Sequence, residues 1–513
     1  MEDRRVFEFY KPLRNYLKQL VLSEALAVIR AYSQYLWLKK PFSPDVEVDR
    51  RVLSKGFSVL NPWSLEILAR EIIINSQEIG ISRVDLKKWN NFANAIDKVR
   101  EIENQISGTY TNQENILMEV YRISQRQFPW QEHGFDRAYV VRYFKIFNYP
   151  ELANMVYGVT NLSIKEIYII AFALLGVFQK YFSLEYPPSI DLGKTGIDNQ
   201  KLNCFLKLFC CSIVDLKQKL ISPLERRIDD TFAYYFHSFK KFPLIRMTIS
   251  SKDSVVCPMP SLLFERFTSG LYYEIINEKY FSNYFGNAFE SYVGEIIAET
   301  NKNYAYSYFP EEKTNTENEP KIDWIIDQDG VALFIECKTK RLTVAAKIEL
   351  NDKTELNNQL DKLANAVVQI YKTIDHYKNN RYKNPIYKFD DDKRILPLVI
   401  TLEDWFLMGP LLKTIENKVK AKLEENKLPS EWIDDMPFSL MSIGEFEDAL
   451  SLIQRHGIGR VIGEKVSDKE MSTWTAASYL TARFKEELGK ENCLFPDVYR
   501  DIFSTDLISS TEN

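Results

Sequence analysis

Histidine and cysteine are scarce in this chain, four and six in 513 residues. The cysteines, Cys204, Cys210, Cys211, Cys257, Cys337 and Cys493, form no CxxC pair and lie at no zinc spacing from a histidine. That excludes a zinc site as the organising chemistry and fits reduced thiols in a cytoplasmic protein. Long apolar runs are missing too. The longest, 167-IYIIAFALLGVF-178, has 12 residues, too few to cross a bilayer, and Ser163 and Glu166 before it predict a capped, buried helix. The opening MEDRRVFEFYKPLRNYL carries charge where an export signal needs an apolar stretch, so a cytoplasmic location with no membrane partner is expected. There is no GxxxxGK[ST] loop for an ATP motor and no G-x-S-x-G elbow. The glycines of 457-GIGRVIG-463 follow a helical pattern, which makes Gly457 a helix cap rather than part of a dinucleotide loop. With a net charge of −5 the chain has no overall basic field, so a polyanion partner would have to be met by a local patch.

What is present is core-forming. Apolar residues make up 45% of a chain too long for one hydrophobic core, so two or three folded domains are expected. Residues 1–240 read as helical, with apolar spacings of three and four in 12–40 and 64–76 and no fixed repeat. The 210-CC-211 dipeptide sits in an apolar helical run and reads as core. His133, in the aromatic loop 128–135, reads as structural. From residue 241 the texture changes. Runs 243–250 and 255–260 suggest a hairpin, 261–280 and 284–301 suggest helices, and 304–310, 321–327 and 331–338 suggest strands. A long helix at 354–378, a continuously apolar strand at 394–403 and further α/β elements to residue 456 complete the pattern. The expected fold is multi-domain, a mostly α-helical N-terminal region (1–240) followed by a C-terminal α/β domain (241–513) with a mixed central sheet.

Three charged residues stand out because they interrupt apolar strands, where charge is costly to desolvate. They are Asp323 on one strand and Glu336 and Lys338 on the next, with Cys337 between them pointing the other way. A hairpin through the Asp-Gly turn of 327-DQDG-330, pairing 327 with 330, places Asp323 opposite residue 334 and diagonal to Glu336. Two carboxylates and an ammonium would then meet. Carboxylate oxygens suit Mg²⁺, which activates a bound water and offsets charge on a phosphate oxygen, and a lysine beside it can orient that water. The bland alternative is a salt bridge at a strand end. Downstream, residues 338–388 hold eleven Lys or Arg against five Asp or Glu, a local excess suited to a phosphate backbone.

Asp323 and the Glu336-Cys337-Lys338 triplet on consecutive strands resemble the PD-(D/E)XK, or restriction-endonuclease-like, nuclease superfamily. The α-β-β-β-α-β order over residues 284–403 is similar to that family's core, and 286-GNAFESYV-293 offers Glu290 for the glutamate many members carry on the preceding helix. The motif's proline is displaced, Pro320 standing three residues before Asp323, and nothing outside 284–403 carries the likeness. The resemblance implies a metal-dependent endonuclease. Asp323, Glu336 and the Cys337 carbonyl would bind Mg²⁺, with Mn²⁺ as a substitute, and Glu290 would assist. Lys338 would position the attacking water, and Gln359 or Gln369 would serve as the auxiliary helix residue. Lys340 and Arg341, leaving the catalytic strand, are the expected phosphate contacts. It implies DNA before RNA as substrate and a role in bacterial restriction or phage defence. The helical region would supply recognition, regulation, or assembly with itself or a partner protein. A nuclease-like domain that binds nucleic acid or acts as a scaffold without cutting is the alternative.

Overall fold

The computed structural model describes residues 2–503 except 57–58, 133–134, 191, 193–194, 223–225, 313–318, 408 and 489–492. His133 therefore lies outside the described residues. The described residues are mostly helical, with two sheets. No single described helix is long and apolar enough to cross a membrane. The apolar run at 167–178 lies in helix Ile164–Lys180, and its capping box forms as expected: the Ser163 hydroxyl accepts from the Glu166 amide while the Glu166 carboxylate accepts from the Ser163 amide.

The run 12–40 is two helices rather than one, Glu2–Leu17 and Leu22–Leu38, separated where Val21 bridges to Gln77. These pack with helices Pro62–Asn75 and Trp89–Tyr110 around the first hydrophobic cluster. Cys210 and Cys211 are not helical. They open strand β2 (Cys210–Ser212) of a small sheet whose other strands are β1 (Ser183–Glu185), β3 (Leu244–Ile249) and β4 (Lys252–Val256), in the order β1-β4-β3-β2. Helix periodicity carried across residue 209 because both faces of that short strand are half-buried, which removes the alternation that marks a strand.

The second sheet contains β5 (Ser307–Pro310), β6 (Trp324–Gln328), β7 (Val331–Lys338), β8 (Arg394–Thr401) and β9 (Ser439–Ser442) in that spatial order. The first three run antiparallel, and β8 and β9 join parallel to β7. Parallel β7 and β8 need a crossover, which helix Thr354–Lys378 supplies. Continuous apolarity in β8 has its physical cause here. Leu396, Leu398 and Ile400 enter the cluster under helices Phe281–Thr300 and Ile443–His456, while Ile395 and Val399 enter the one under helices Thr354–Lys378 and Pro410–Glu425. The sheet is thus covered on both faces.

Helix 261–280 is the other departure. It stops at Phe267, passes through a 3-10 turn at Ser269–Leu271 and resumes for one turn at Tyr272–Ile275. Residue 240 is also crossed by extensive pairing. β3 and β4 bond to β2 and β1, and the cluster beneath helix Phe281–Thr300 takes in side chains from Tyr139 to Phe209. A 241–513 fragment loses both sets of partners. It is expected to give a broad, non-cooperative thermal transition where the full chain melts cooperatively, as followed by circular dichroism.

Candidate functional site

The β6–β7 hairpin closes through Asp329 and Gly330, with φ of +49° and +77°. Both central residues are left-handed, as a type I′ turn requires, and Asp-Gly is among the few dipeptides that adopt it cheaply. The turn pairs Gln328 with Val331 and Trp324 with Ile335. This shifts the expected register by one residue on each strand. Asp323 comes beside Ile335 and Glu336, not residue 334.

The ladder also slips at this point. The Asp323 amide donates to the Ile335 carbonyl at 3.1 Å, one residue out of step with the Trp324–Ile335 pair, a distortion of the bulge kind that re-aims a side chain. The Asp323 carboxylate then accepts the Cys337 backbone N–H at 2.6 Å. Lys338 donates to Glu336, whose residue is only 2% exposed, while the lysine side chain keeps 35% exposure. Glu336 is buried, and its Oε2 has no hydrogen-bond partner among the described residues.

Glu290 reaches the same place from helix Phe281–Thr300. Its carbonyl accepts the Trp324 indole N–H at 3.3 Å, and one turn on, Gly294 lies under the Trp324 ring. A Cβ at 294 would stand 2.2 Å from the ring, so only glycine admits this approach. Gly294 and Trp324 lie outside the charged and motif-bearing residues that stand out in the sequence. A glycine inside a helix followed by an aromatic at a strand start is the signal that marks such a seat.

The three carboxyls repel one another in a low-dielectric setting. Burial, then Asp323 and Glu311, raise Glu290 from 4.5 to about 7, with Lys321 opposing. Burial is also the main cause of the upward shift at Asp323, against which the Cys337 N–H and Lys338 act. Glu336 and Lys338 are both shifted upward, burial and Asp323 acting on the acid and Glu336 on the ammonium against its own desolvation. The two shifts make opposite demands on the pair. The direction the geometry supports is a charged Lys338, with the three acids carrying fewer than three negative charges between them.

Among the described residues, no three His, Cys, Asp or Glu side chains stand together closely enough to hold a metal ion as they are. The donor chemistry nevertheless fits a hard divalent cation. It consists of carboxylate oxygens that repel one another, one of them a buried atom with no partner. Asp323 and Glu336 would be the ligands, with Glu290 and the Cys337 carbonyl in support.

The remaining candidates divide. Lys340 is exposed and carries no ion pair among the described residues. Arg341 is turned inward, contrary to its expected phosphate role. Its side chain is 9% exposed, pairs with Glu403, donates to the Ser269 carbonyl at 3.3 Å and lies over the Tyr272 ring. Gln359 is buried and donates to Glu355. Gln369 donates to the Lys321 carbonyl at 2.8 Å, and Tyr382 donates to the Pro320 carbonyl, so both fix the approach to Asp323.

Two outcomes follow. Gly294→Ala must displace Trp324 and is expected to cost about 1–3 kcal/mol, the usual penalty of overpacking, read from urea unfolding with tryptophan fluorescence as the probe. A carboxyl raised in the folded state adds stability below its unfolded value, and that stability is lost as pH rises through its folded value. Glu290→Gln removes a window from 4.5 to about 7. In metal-free buffer the parent should therefore lose more stability than the variant across that window. Equal pH slopes would take Glu290 out of the acidic cluster. No protein-family model, no curated protein and no solved structure matches this chain.

Proposed function

We propose that the chain is a Mg²⁺-dependent nuclease of the PD-(D/E)XK kind that hydrolyses phosphodiester bonds, DNA before RNA. The observation that carries this reading is the hairpin register, which sets Asp323 against Glu336 and Cys337 while Lys338, bonded to Glu336, keeps part of its side chain in solvent. The element order along residues 281–401, one helix, three strands, a short helix at Val344–Ile348, a long helix and a parallel strand, supports the same reading.

Bound there, the metal would lower the pKa of a water and offset charge on a phosphate oxygen. The chain's own residues do the rest. The Cys337 N–H fixes the Asp323 carboxylate, the Trp324–Gly294 seat fixes Glu290, and Gln369 and Tyr382 hold the segment leading into Asp323. Lys338 holds its ammonium against the Glu336 carboxylate, from where it can orient the attacking water and stabilise negative charge on the phosphorus oxygens. Exposed Lys340, which follows the end of β7 two residues after Lys338, takes the place of the buried Arg341 as the phosphate contact. A part in restriction or phage defence, in the cytoplasm, and a recognition or assembly role for the helical half belong to this reading.

A nuclease-like domain that binds without cutting is the second reading. The engagement of Lys338 by Glu336 and the absence of three converged ligand side chains among the described residues favour it. Incubating the full chain with Mg²⁺ or Mn²⁺ and linear, circular and single-stranded DNA and RNA separates the two. The nuclease reading expects cleavage that falls at least about 10²-fold in Asp323→Asn, Glu336→Gln and Lys338→Ala, the scale of losing one transition-state stabiliser, with melting temperatures little changed. Nucleic-acid binding with no cleavage supports the second reading. Parental cleavage by all three variants sinks the assignment.

A further inference from the structure

A cavity of about 1040 Å³ lies away from the Asp323 site, and Glu290, Asp323, Glu336 and Lys338 do not line it. It sits where helices Pro62–Asn75, Ile116–Glu132, Arg137–Phe147 and Pro260–Phe267 meet the segments following β7, β8 and β9. Its volume is at the upper end for a small-molecule site. Aromatic rings form much of its wall, among them Trp63, Trp130, Tyr143 and Tyr273.

Its charges indicate what it would take. Among the described residues nine Lys or Arg and nine Asp or Glu line it, so it is not a basin for anions. All six lining arginines already have acidic partners. Arg142 pairs with Glu447 at 2.7 Å, Arg126 with Glu103 at 2.6 Å, Arg122 with Asp230 at 3.2 Å and Arg70 with Glu71 at 3.0 Å. Arg266 pairs with Glu274, and Arg341 with Glu403. Of the lining lysines, Lys240 pairs with Glu66 and Lys347 with Glu403, which leaves exposed Lys241 as the one lining cation without an acidic partner among the described residues, and several of the partner acids stand behind the wall.

Two lining carboxyls are the exception. The side chains of Glu265 and Asp448 accept no hydrogen bond and form no ion pair among the described residues. Burial pushes both up to about 7. Lys240 opposes and Glu66 adds at Glu265, while Glu447 adds and Arg142 opposes at Asp448. Both residues are half-buried, so their carboxyls face the cavity without protein donors and are complementary to a ligand that brings donors and positive charge. We propose that this cavity binds an organic cation, a nitrogen base with several N–H donors, anchored by Glu265 and Asp448 and packed against the aromatic wall. The site is independent of the nuclease reading. It does lie close to it in the chain: the helix bearing Glu265 runs into Ser269, whose carbonyl holds Arg341, three residues beyond Lys338.

The test is calorimetry and thermal shift on the full chain with spermidine, agmatine and benzamidine as probes and AMP as an anionic aromatic control. At least one cation is expected to bind saturably and raise the melting temperature, as ligation of the folded state requires. Its affinity should fall at least about tenfold, or 1.4 kcal/mol, in both Glu265→Gln and Asp448→Asn, and stay unchanged in Asp323→Asn. The two anchors lie on different helices, so either variant suffices if the other fails to fold. Absence of saturable binding by all three cations overturns the proposal. So does binding of AMP in their place, or cation affinity untouched by both variants.

Discussion

A two-residue turn at Asp329–Gly330 is the constraint from which the acidic site follows. With both residues at positive φ, the turn admits one register, and a strand register cannot slip by one without moving every side chain to the other face. That register carries Ile325 and Phe334 into one hydrophobic cluster and Ile326, Leu333 and Ile335 into the other. It also sets Asp323 beside Glu336. The polar site is thus held by the apolar pairing below it, and the small slip at Asp323 frees its carboxylate to take the Cys337 N–H.

The protein manages buried charge in two ways. Most is neutralised by pairing, as with Arg142 between Glu447 and the ring of Tyr139, or Arg341 between Glu403 and the rings of Tyr272 and Tyr273. Such pairs roughly break even against their desolvation cost, so they position elements more than they stabilise them. A few carboxyls are left incompletely paired, Glu290, Asp323 and Glu336 at the hairpin, and Glu265 and Asp448 in the cavity. Glu336 is buried and the other four are half-buried, and an acid removed from water without full neutralisation is a standing cost.

Arg341 shows how a sequence reading of charge can go wrong. As the third basic residue after Glu336, in a stretch rich in lysine, it looks like a phosphate contact. The turn after helix Pro260–Phe267 instead offers it a carbonyl and two tyrosine faces, and arginine, weakly hydrated and planar, accepts burial on such terms better than lysine does. Lys340, one residue earlier, stays in water. Nothing local distinguishes them, because the partners of Arg341 come from residues 269, 272, 273 and 403.

The sequence by itself determined what short-range physics determines. The capping box at Ser163, the Asp-Gly turn, the doubly buried β8 and, short helices at Val344–Ile348 and Trp432–Asp435 aside, the element order from residue 281 to 456 were legible, because each rests on periodicity or on local backbone preference. So was the set of charged residues that interrupt strands. Tertiary structure decided the rest. It set the register that brings Asp323 to Glu336, the seat of Trp324 on Gly294 that places Glu290, the inward turn of Arg341 and the pairing across residue 240. It also made the cavity, whose two unpartnered carboxyls lie 183 positions apart in the chain. Those features depend on contacts between residues distant in sequence, and a local pattern carries no record of its distant partner.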